Sequence, residues 1–456
     1  MPVALIIHGH FYQPPRENPW TGEVEAEPSA APFHDWNERI HAECYAPNIV
    51  NYPLISFNFG PTLLSWLESH HHDTYDKILS ADRESAAARG GHGNAIAQAY
   101  GHAILPLCNE RDRLTQVLWG LADFRYRFGR EAQAMWLPET AANDEVLALL
   151  IEQGMRYVIL APNQAKGVVD TSKPYLFRHP DGSKRSIAVF FYNGPLARAI
   201  AFEGALASSR GLVEKFISAG GELVNVATDG ETYGHHFKFG DLCLTHALKV
   251  EAKSAGFWIT NYAQYLDQHP AETEVEIDNG LDGEGSSWSC VHGVGRWSRD
   301  CGCHTGGEPG WNQAWREPLR AALNFLRDDA AAKFEQSGLL RDPWAARNDY
   351  IKVILDQKHA REEFDPRVLD LLEMQRSSLL MFTSCGWFFS DLAGIETIQV
   401  LRYAARVIDL MNKLGLDPPL KKFLELLSEA KSNSPEKGTG ADIFATVNLM
   451  EQGKIE

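Results

Sequence analysis

Three short stretches of the chain hold side chains able to move protons or bind metals. His8-Gly-His10-Phe-Tyr-Gln13-Pro-Pro15 offers two imidazoles, Pro138-Glu139-Thr140 one carboxylate, and Thr228-Asp229-Gly-Glu231-Thr-Tyr-Gly234-His235-His236 two carboxylates and two imidazoles. Two carboxyl groups flanking one bond are the equipment of retaining glycoside cleavage. One attacks the anomeric carbon and the other protonates the leaving oxygen, the pair standing about 5 to 5.5 Å apart. Glu139 and Asp229 are suitable types. Either one alone reads as a helix N-cap or a surface ion pair, so the combination carries the argument. Histidines after a strand can bind a metal, hydrogen-bond a sugar or sit satisfied in a core. Strand alternation sends His8 and His10 to the same side.

The elements that must position these groups are legible as apolar runs. Val3 to Ile7, Ala132 to Leu137, Tyr157 to Leu160, Ile187 to Tyr192 and Leu223 to Ala227 are near-continuous apolar strands of the kind a parallel sheet covered on both faces requires. Helical stretches fall between them. Asn143 is placed to cap one whose stripe runs Val146, Leu149, Leu150 and Gln153, with Gly154 at its C-terminal stop. This βαβ rhythm favours a barrel over an open sheet, and a barrel presents its catalytic groups at the C-terminal ends of its strands. All three chemical stretches follow such runs.

From about residue 313 the pattern turns helical: Leu319, Leu323 and Leu326, then Val368, Leu371 and Leu372, then Ile395, Ile398, Ala405 and Ile408, then Phe423, Leu424 and Leu427. The expected organisation is a catalytic barrel over 1–270, a Cys-, Trp- and Gly-rich active-site loop over 271–312, a helical bundle over 313–431 and a flexible tail over 432–456. With 456 residues, a second module beside the barrel is expected.

Composition narrows the partners. A net charge of −17 without a cluster of Lys and Arg excludes a polyanion-binding class, so no nucleic acid is expected. The 12 Trp suit flat apolar surfaces on which sugars stack. No stretch approaches the ~20 apolar residues of a membrane span, and the N-terminus reads as a mature cytoplasmic one without a signal. Seven Cys, an odd number, fit reduced thiols rather than a disulfide framework.

Four motifs in order carry a resemblance: His8-Gly-His10-Phe-Tyr-Gln-Pro-Pro15, Tyr100-Gly-His102-Ala-Ile-Leu-Pro106, Met135-Trp136-Leu-Pro-Glu139-Thr-Ala141 and Thr228-Asp229-Gly-Glu231-Thr-Tyr-Gly234-His235. Together they resemble the conserved regions of glycoside hydrolase family 57, with Ser384-Cys385-Gly386-Trp387-Phe388-Phe389-Ser390-Asp391 corresponding to a fifth. The resemblance implies a distorted (β/α)7 TIM-like barrel followed by an α-helical bundle, and retaining chemistry on α-glucans or related oligo- and polysaccharides without cofactor or required metal. It implies Glu139 as nucleophile and Asp229 as general acid/base. His8, His10, His102, Glu231, His235 and Asp391 would contact substrate, with Trp136 and Trp387 as apolar walls. Hydrolysis and transfer are equally compatible with it.

The stretch from Ser286 to Gly307 stands outside the core pattern of that family. It resembles a branch with an extra helical extension whose members are often longer, so a shortened C-terminal part is expected here. Cys290, Cys301 and Cys303, with His292 and His304, are zinc-ligand types, the candidate cluster being Cys290, Cys301, Cys303 and His304, but their spacing is not that of a zinc ribbon. The expectation is a loop that packs its thiols and aromatics over the active site and lines a glycan groove with Trp288 and Arg296; a labile disulfide is a third option. His70-His71-His72 reads as a solvated turn. Trp20 and Trp36 serve either as sugar platforms or as pins for the Pro-rich segment.

Two rivals remain open at this level. One is a metal-dependent carbohydrate enzyme of related barrel type, such as a polysaccharide deacetylase or α-mannosidase, with His8, His10 and Asp229 around the ion. The other is a non-catalytic glycan-binding protein.

Overall fold

The computed structural model describes residues 2–356 and 364–451. It divides into two compact units: Met1–Gln13, Glu25–Ala99 and Phe124–Asn279 form the first, and Pro14–Val24, Tyr100–Asp123 and Gly280–Glu456 the second.

The first unit is built on parallel strands. β1 (Ala4–Phe11) is buried along its whole length, with β2 (Ser56–Phe59) on one side and β8 (Leu223–Asp229) on the other, both parallel. A parallel bridge from Phe57 to Ala95 leads from β2 to β3 (Ala97–Gln98), which pairs with β4 (Met135–Trp136). Ala134 bridges to Tyr157 in β5 (Tyr157–Leu160), and β5 pairs with β7 (Ser186–Phe191). The Asn193 amide donates to the Asn225 carbonyl at 2.8 Å, and Asn225 Nδ2 to the Phe191 carbonyl at 3.2 Å, which returns the circuit to β8. Among the described residues this is a ring of seven strands, the (β/α)7 TIM-like barrel. Outside it, β6 (Tyr175–Arg178) runs antiparallel to β7 and pairs with β10 (Thr273–Glu274), while β9 (Trp258–Ile259) pairs with β1.

Local sequence explains the covering helices. Pro61, whose missing amide costs nothing at a first turn, opens α1 (Pro61–His70), and α2 (His72–Ala88) follows. Asn143 caps α3 (Asp144–Glu152), its side chain accepting from the Val146 amide, and Gly154 is left-handed at φ 77° where the chain leaves that helix. After β7, Asn193 caps α4 (Gly194–Phe202) and Ser208 caps α5 (Ser209–Ala219). β2, β3 and β6 fall outside the apolar runs singled out above, because each is short and β2 alternates Ser and Asn with Phe.

The second unit is helical, the bundle expected from the apolar stripes. Its main members are α6 (Arg316–Gln336), α7 (Pro366–Leu380), α8 (Ile395–Lys413), α9 (Leu420–Leu427) and α10 (Gly440–Glu451). Leu319, Leu323, Leu326, Leu371, Leu372, Ala405, Phe423 and Leu427 are buried, whereas Ile395, at the first residue of α8, is exposed. The segment expected to be a loose tail instead holds α10, with Ile443, Phe444 and Val447 buried; residues 452–456 lie outside the described ones. The Pro-rich segment after β1 belongs to this unit. Gln399 Nε2 donates to the Glu17 carbonyl at 2.9 Å and Trp20 Nε1 to Asp409 at 3.1 Å, so Trp20 acts as a pin. Among the described residues no helix is long and apolar enough to cross a membrane.

Candidate active site

The C-terminal ends of β1, β4 and β8 carry the barrel's chemical groups. β1 and β8 are in register with His10 beside Asp229, and β1 and β2 with His8 beside Ser56 and His10 beside Asn58. His8 is fully enclosed, its Nδ1 meeting Ser56 Oγ at 3.0 Å and its Nε2 meeting Asn58 Oδ1 at 3.0 Å. With both ring nitrogens engaged it has none for a sugar, which corrects the expectation that it contacts substrate. Asn58 Nδ2 reaches His10 Nδ1 at 2.9 Å and Gln98 Oε1 at 2.7 Å.

Trp136 stacks on both imidazoles, at centroid distances of 4.8 Å to His8 and 5.0 Å to His10. It is buried, so it buttresses the histidines and is not the open apolar wall expected of it. Burial pushes both imidazoles down to about 3, which keeps them neutral, since a charged imidazole there would lose its hydration.

Glu139 stands just past β4 on a short 3-10 turn, Pro138–Thr140. Its backbone is left-handed at φ 58°, and Thr140 follows at φ 51°. Non-glycine residues in that region cost roughly 1–3 kcal/mol each and persist where surrounding contacts overdetermine them. Here the determinant is Gln164, fully buried: Thr140 Oγ1 donates to its Oε1 at 2.7 Å, and its Nε2 donates to the Thr140 carbonyl at 2.8 Å. The Ala161 amide also donates to Oε1, at 2.9 Å, tying the clamp to the end of β5.

Asp229 ends β8. Its side chain has an open face, yet protein packs closely around it, and an open face does not restore full hydration. Burial, and after it the charge of Glu139, push its carboxyl up to about 7. Both causes favour the protonated form. Glu231, two residues on, is buried and accepts from Tyr45 Oη at 2.7 Å and from the Tyr12 amide at 3.0 Å. Burial and then Asp229 raise it to about 8. Three carboxyl groups are thus electrostatically linked, Glu139 to Asp229 and Asp229 to Glu231. Between the last two, Gly230 lies under the Phe11 ring, where a Cβ would sit 2.3 Å from Cδ1; only glycine lets the turn pass. His235, half-buried, meets Glu43 through Nδ1 at 2.5 Å, and Trp36 stands edge-on to it at 6.0 Å.

The remaining expected contacts lie in the helical unit. His102 is buried and left-handed at φ 52°, its Nδ1 at 2.6 Å from Ser384 Oγ. Trp387 is fully buried, its Nε1 donating to the Arg316 carbonyl at 3.3 Å and its ring 4.5 Å from the Arg320 guanidinium. It is a core residue of this unit and not the apolar sugar wall expected. Arg296 donates to Thr305 Oγ1 at 2.9 Å and to the Phe388 carbonyl at 3.2 Å. Asp391 accepts from Ser432 Oγ at 2.9 Å and from the Asn433 amide at 2.6 Å. Both charges therefore serve loop closure, which corrects their placement as substrate contacts. Trp288 is half-buried.

Among the described residues, the side chains whose ligand atoms gather within 4.8 Å as metal-ligand sets are Cys290, His292, Cys301 and Cys303, and Glu38, His41 and His71. Neither set contains His8, His10 or Asp229. Of the two histidines named beside the cysteines, His292 joins the set and His304 does not, because His304 Nδ1 turns to the Gly306 carbonyl at 2.9 Å. His71, expected in a solvated turn, bonds Glu38 at 2.9 Å. The sequence reading missed Asn58, Gln98, Tyr45 and Gln164. The alternation Ser56-Phe57-Asn58-Phe59 is a signal that could have found the first; none marks Gln164.

Residues 3–278 match the family described as Glycosyl hydrolase family 57, and residues 311–454 a Domain of unknown function (DUF3536). The alpha-amylase of Pyrococcus abyssi is 26% identical over 161 residues, 35% of this chain and 22% of that protein. The 4-alpha-glucanotransferase of Thermococcus litoralis is 24% identical over 158 residues, 35% of this chain and 21% of that protein. The chain thus matches about a fifth of the length of these curated relatives. An exo-type maltose-forming amylase from Pyrococcus sp. ST04 superposes with a TM-score of 0.73 at 14% identity, covering 99% of this chain and 93% of that one. A branching enzyme from Pyrococcus horikoshii does so at 0.64 and 16% identity, covering 99% and 96%. These structural likenesses establish a shared fold.

Proposed function

The chain belongs to glycosyl hydrolase family 57, and from that premise we propose that it breaks or transfers α-glycosidic bonds of oligo- or polysaccharides by double displacement, with Glu139 as nucleophile and Asp229 as general acid and base. The catalytic portion is residues 1–270, and α-glucans are the first substrates to try. The observation that carries this reading is Asp229 at the end of β8 within electrostatic reach of Glu139: burial and the charge of the other carboxyl both push it up to about 7 and favour its protonated form, which is the division of labour a retaining glycosidase needs.

In the first step a Glu139 oxygen attacks the anomeric carbon, the bond from that carbon to the glycosidic oxygen breaks, and the Asp229 proton passes to the departing oxygen. In the second, Asp229, now a carboxylate, takes a proton from water or a sugar hydroxyl. The freed oxygen then attacks the same carbon and releases Glu139. Two inversions give retention. Glu231, pushed up to about 8, is neutral at pH 7 and adds no second negative charge beside Asp229. Neutral His10, in register with Asp229, is suited to hydrogen-bond a sugar hydroxyl.

The test is product analysis by mass, linkage and anomeric configuration after incubation with maltooligosaccharides, amylose and α-galactosides. Retained anomers from wild type, together with an azide-rescued product of inverted configuration from Glu139→Gln, are expected. Wild-type activity in Glu139→Gln would remove the assignment. A binding-only role predicts turnover of none of these, and longer and shorter chains from one oligosaccharide would mark a transferase.

A further inference from the structure

We propose that Cys290, His292, Cys301 and Cys303 bind a structural zinc ion that holds the loop of residues 286–311 in the helical unit.

The distances point to it. Cys290 Sγ lies 3.8 Å from Cys301 Sγ and 3.8 Å from Cys303 Sγ, and Cys303 Sγ lies 3.5 Å from His292 Nδ1. A tetrahedral zinc with metal–sulfur bonds of ~2.3 Å and a metal–nitrogen bond of ~2.0–2.1 Å sets its sulfurs about 3.8 Å apart and sulfur from nitrogen about 3.5 Å. A disulfide needs sulfurs at ~2.05 Å. Three thiols and an imidazole in this arrangement form a closed Cys3His set, the donor softness that selects zinc over magnesium or calcium.

The surroundings fit the charge of such a site. Three thiolates and one zinc carry a net single negative charge, and Arg316 and Arg299 lie within electrostatic reach of the sulfurs. Arg316 Nη1 donates to the Cys303 carbonyl at 2.7 Å. Backbone amides of His292 and Arg296 point at the Cys290 sulfur, and that of Cys303 at Cys301, the outer-shell donors that orient thiolate ligands.

The loop also needs what an ion supplies. Its only regular element among the described residues is the 3-10 turn Gly295–Trp297, so few backbone hydrogen bonds fix its path. Gly293, at φ 75° and with its Cβ position 2.5 Å from the Gly285 carbonyl oxygen, turns the chain sharply after His292. α6 grips the loop from one side, Arg320 donating to the Trp297 carbonyl one turn beyond Arg316. Zinc would tie Cys290 and His292 to Cys301 and Cys303, closing the loop on itself.

The experiment is elemental analysis of the full chain purified with zinc sulfate present and then dialysed against metal-free buffer. One zinc per chain is expected, falling well below one in Cys301→Ser and in His292→Ala and staying at one in His304→Ala. His292 is exposed, so its replacement leaves the core intact even if a cysteine variant fails to fold. Cobalt exchanged into the wild-type chain should show thiolate-to-metal charge-transfer absorption and tetrahedral ligand-field bands. Absence of stoichiometric metal in the wild type, a Cys290–Cys301 disulfide by mass spectrometry under non-reducing conditions, or full zinc in His292→Ala would each overturn the proposal.

Discussion

The barrel rim and the cysteine loop solve the same problem by different means. At the rim, strands deliver the side chains: β1 and β8 lock His10 beside Asp229 through a ladder of backbone hydrogen bonds, so position follows from register. In the loop no ladder exists, and Cys290 meets Cys301 and Cys303 only through the path of an irregular chain. A rim built on strands can hold unfavourable states, such as an enclosed carboxyl at Asp229 and a left-handed backbone at Glu139, because the barrel overdetermines them. A loop without such support needs a crosslink, and its charged residues, Arg296 among them, are used up in holding it together.

Replacing Glu139 with Gln is the strongest way to break this contrast. The loss in kcat should be on the order of 10⁴-fold or more with an unchanged melting temperature, and a loss of fold instead would make Glu139 part of the scaffold. Asp229→Asn comes next, with an expected loss of roughly 10²–10⁴-fold on natural glycosides and far less on substrates with activated leaving groups. In wild type the acid must be protonated, so kcat/KM should fall as pH rises through about 7, a limb that the Asn variant lacks. On the helical side, Trp387→Ala should cost about 3–5 kcal/mol in denaturant unfolding, as for any large core aromatic. Trp387→Phe should keep KM within twofold; a KM effect in the stable Phe variant would return Trp387 to the substrate.

Gln164 sharpens the contrast at the rim. Gln164→Ala should lower kcat by roughly 10- to 100-fold with little change in KM, since it misplaces Glu139 without touching substrate. It should also cost about 1–3 kcal/mol for buried partners left unmet. Gln164→Glu, which keeps the acceptor for the Thr140 hydroxyl, should recover part of kcat. The smallest effect concerns Glu231. Its carboxyl sits at about 8 in the folded protein, raised from 4.5, so the native state binds more protons across that window and stability declines as pH rises through it. Glu231→Gln should therefore melt at a higher temperature relative to wild type at pH 9 than at pH 6; an equal difference at both would contradict a raised Glu231.

Much of the barrel was legible because buried parallel strands must be apolar along their length, as Tyr157 to Leu160 and Leu223 to Ala227 are. β3 and β6 were not, being too short to show a period. The strand-end placement of Glu139 and Asp229 was legible because each stands two residues beyond the end of an apolar run. The aromatic and charged residues Trp136, Trp387, Arg296 and Asp391 were misplaced as sugar contacts because residue type does not report burial: an indole that suits a sugar also suits a core, and a guanidinium binds a carbonyl as readily as a hydroxyl.

By itself the sequence determined which residues carry titratable side chains just past apolar runs and that strand ends present them, since local periodicity and residue type require no knowledge of distant contacts. Only the tertiary structure decided that burial and the charge of Glu139 raise the Asp229 carboxyl, that Gln164 holds the Glu139 turn and that, of the two loop histidines, His292 joins the three cysteines. Each of these depends on groups far apart in the chain or on a backbone turn, and burial, charge and ligand distance exist only once the chain has brought them together.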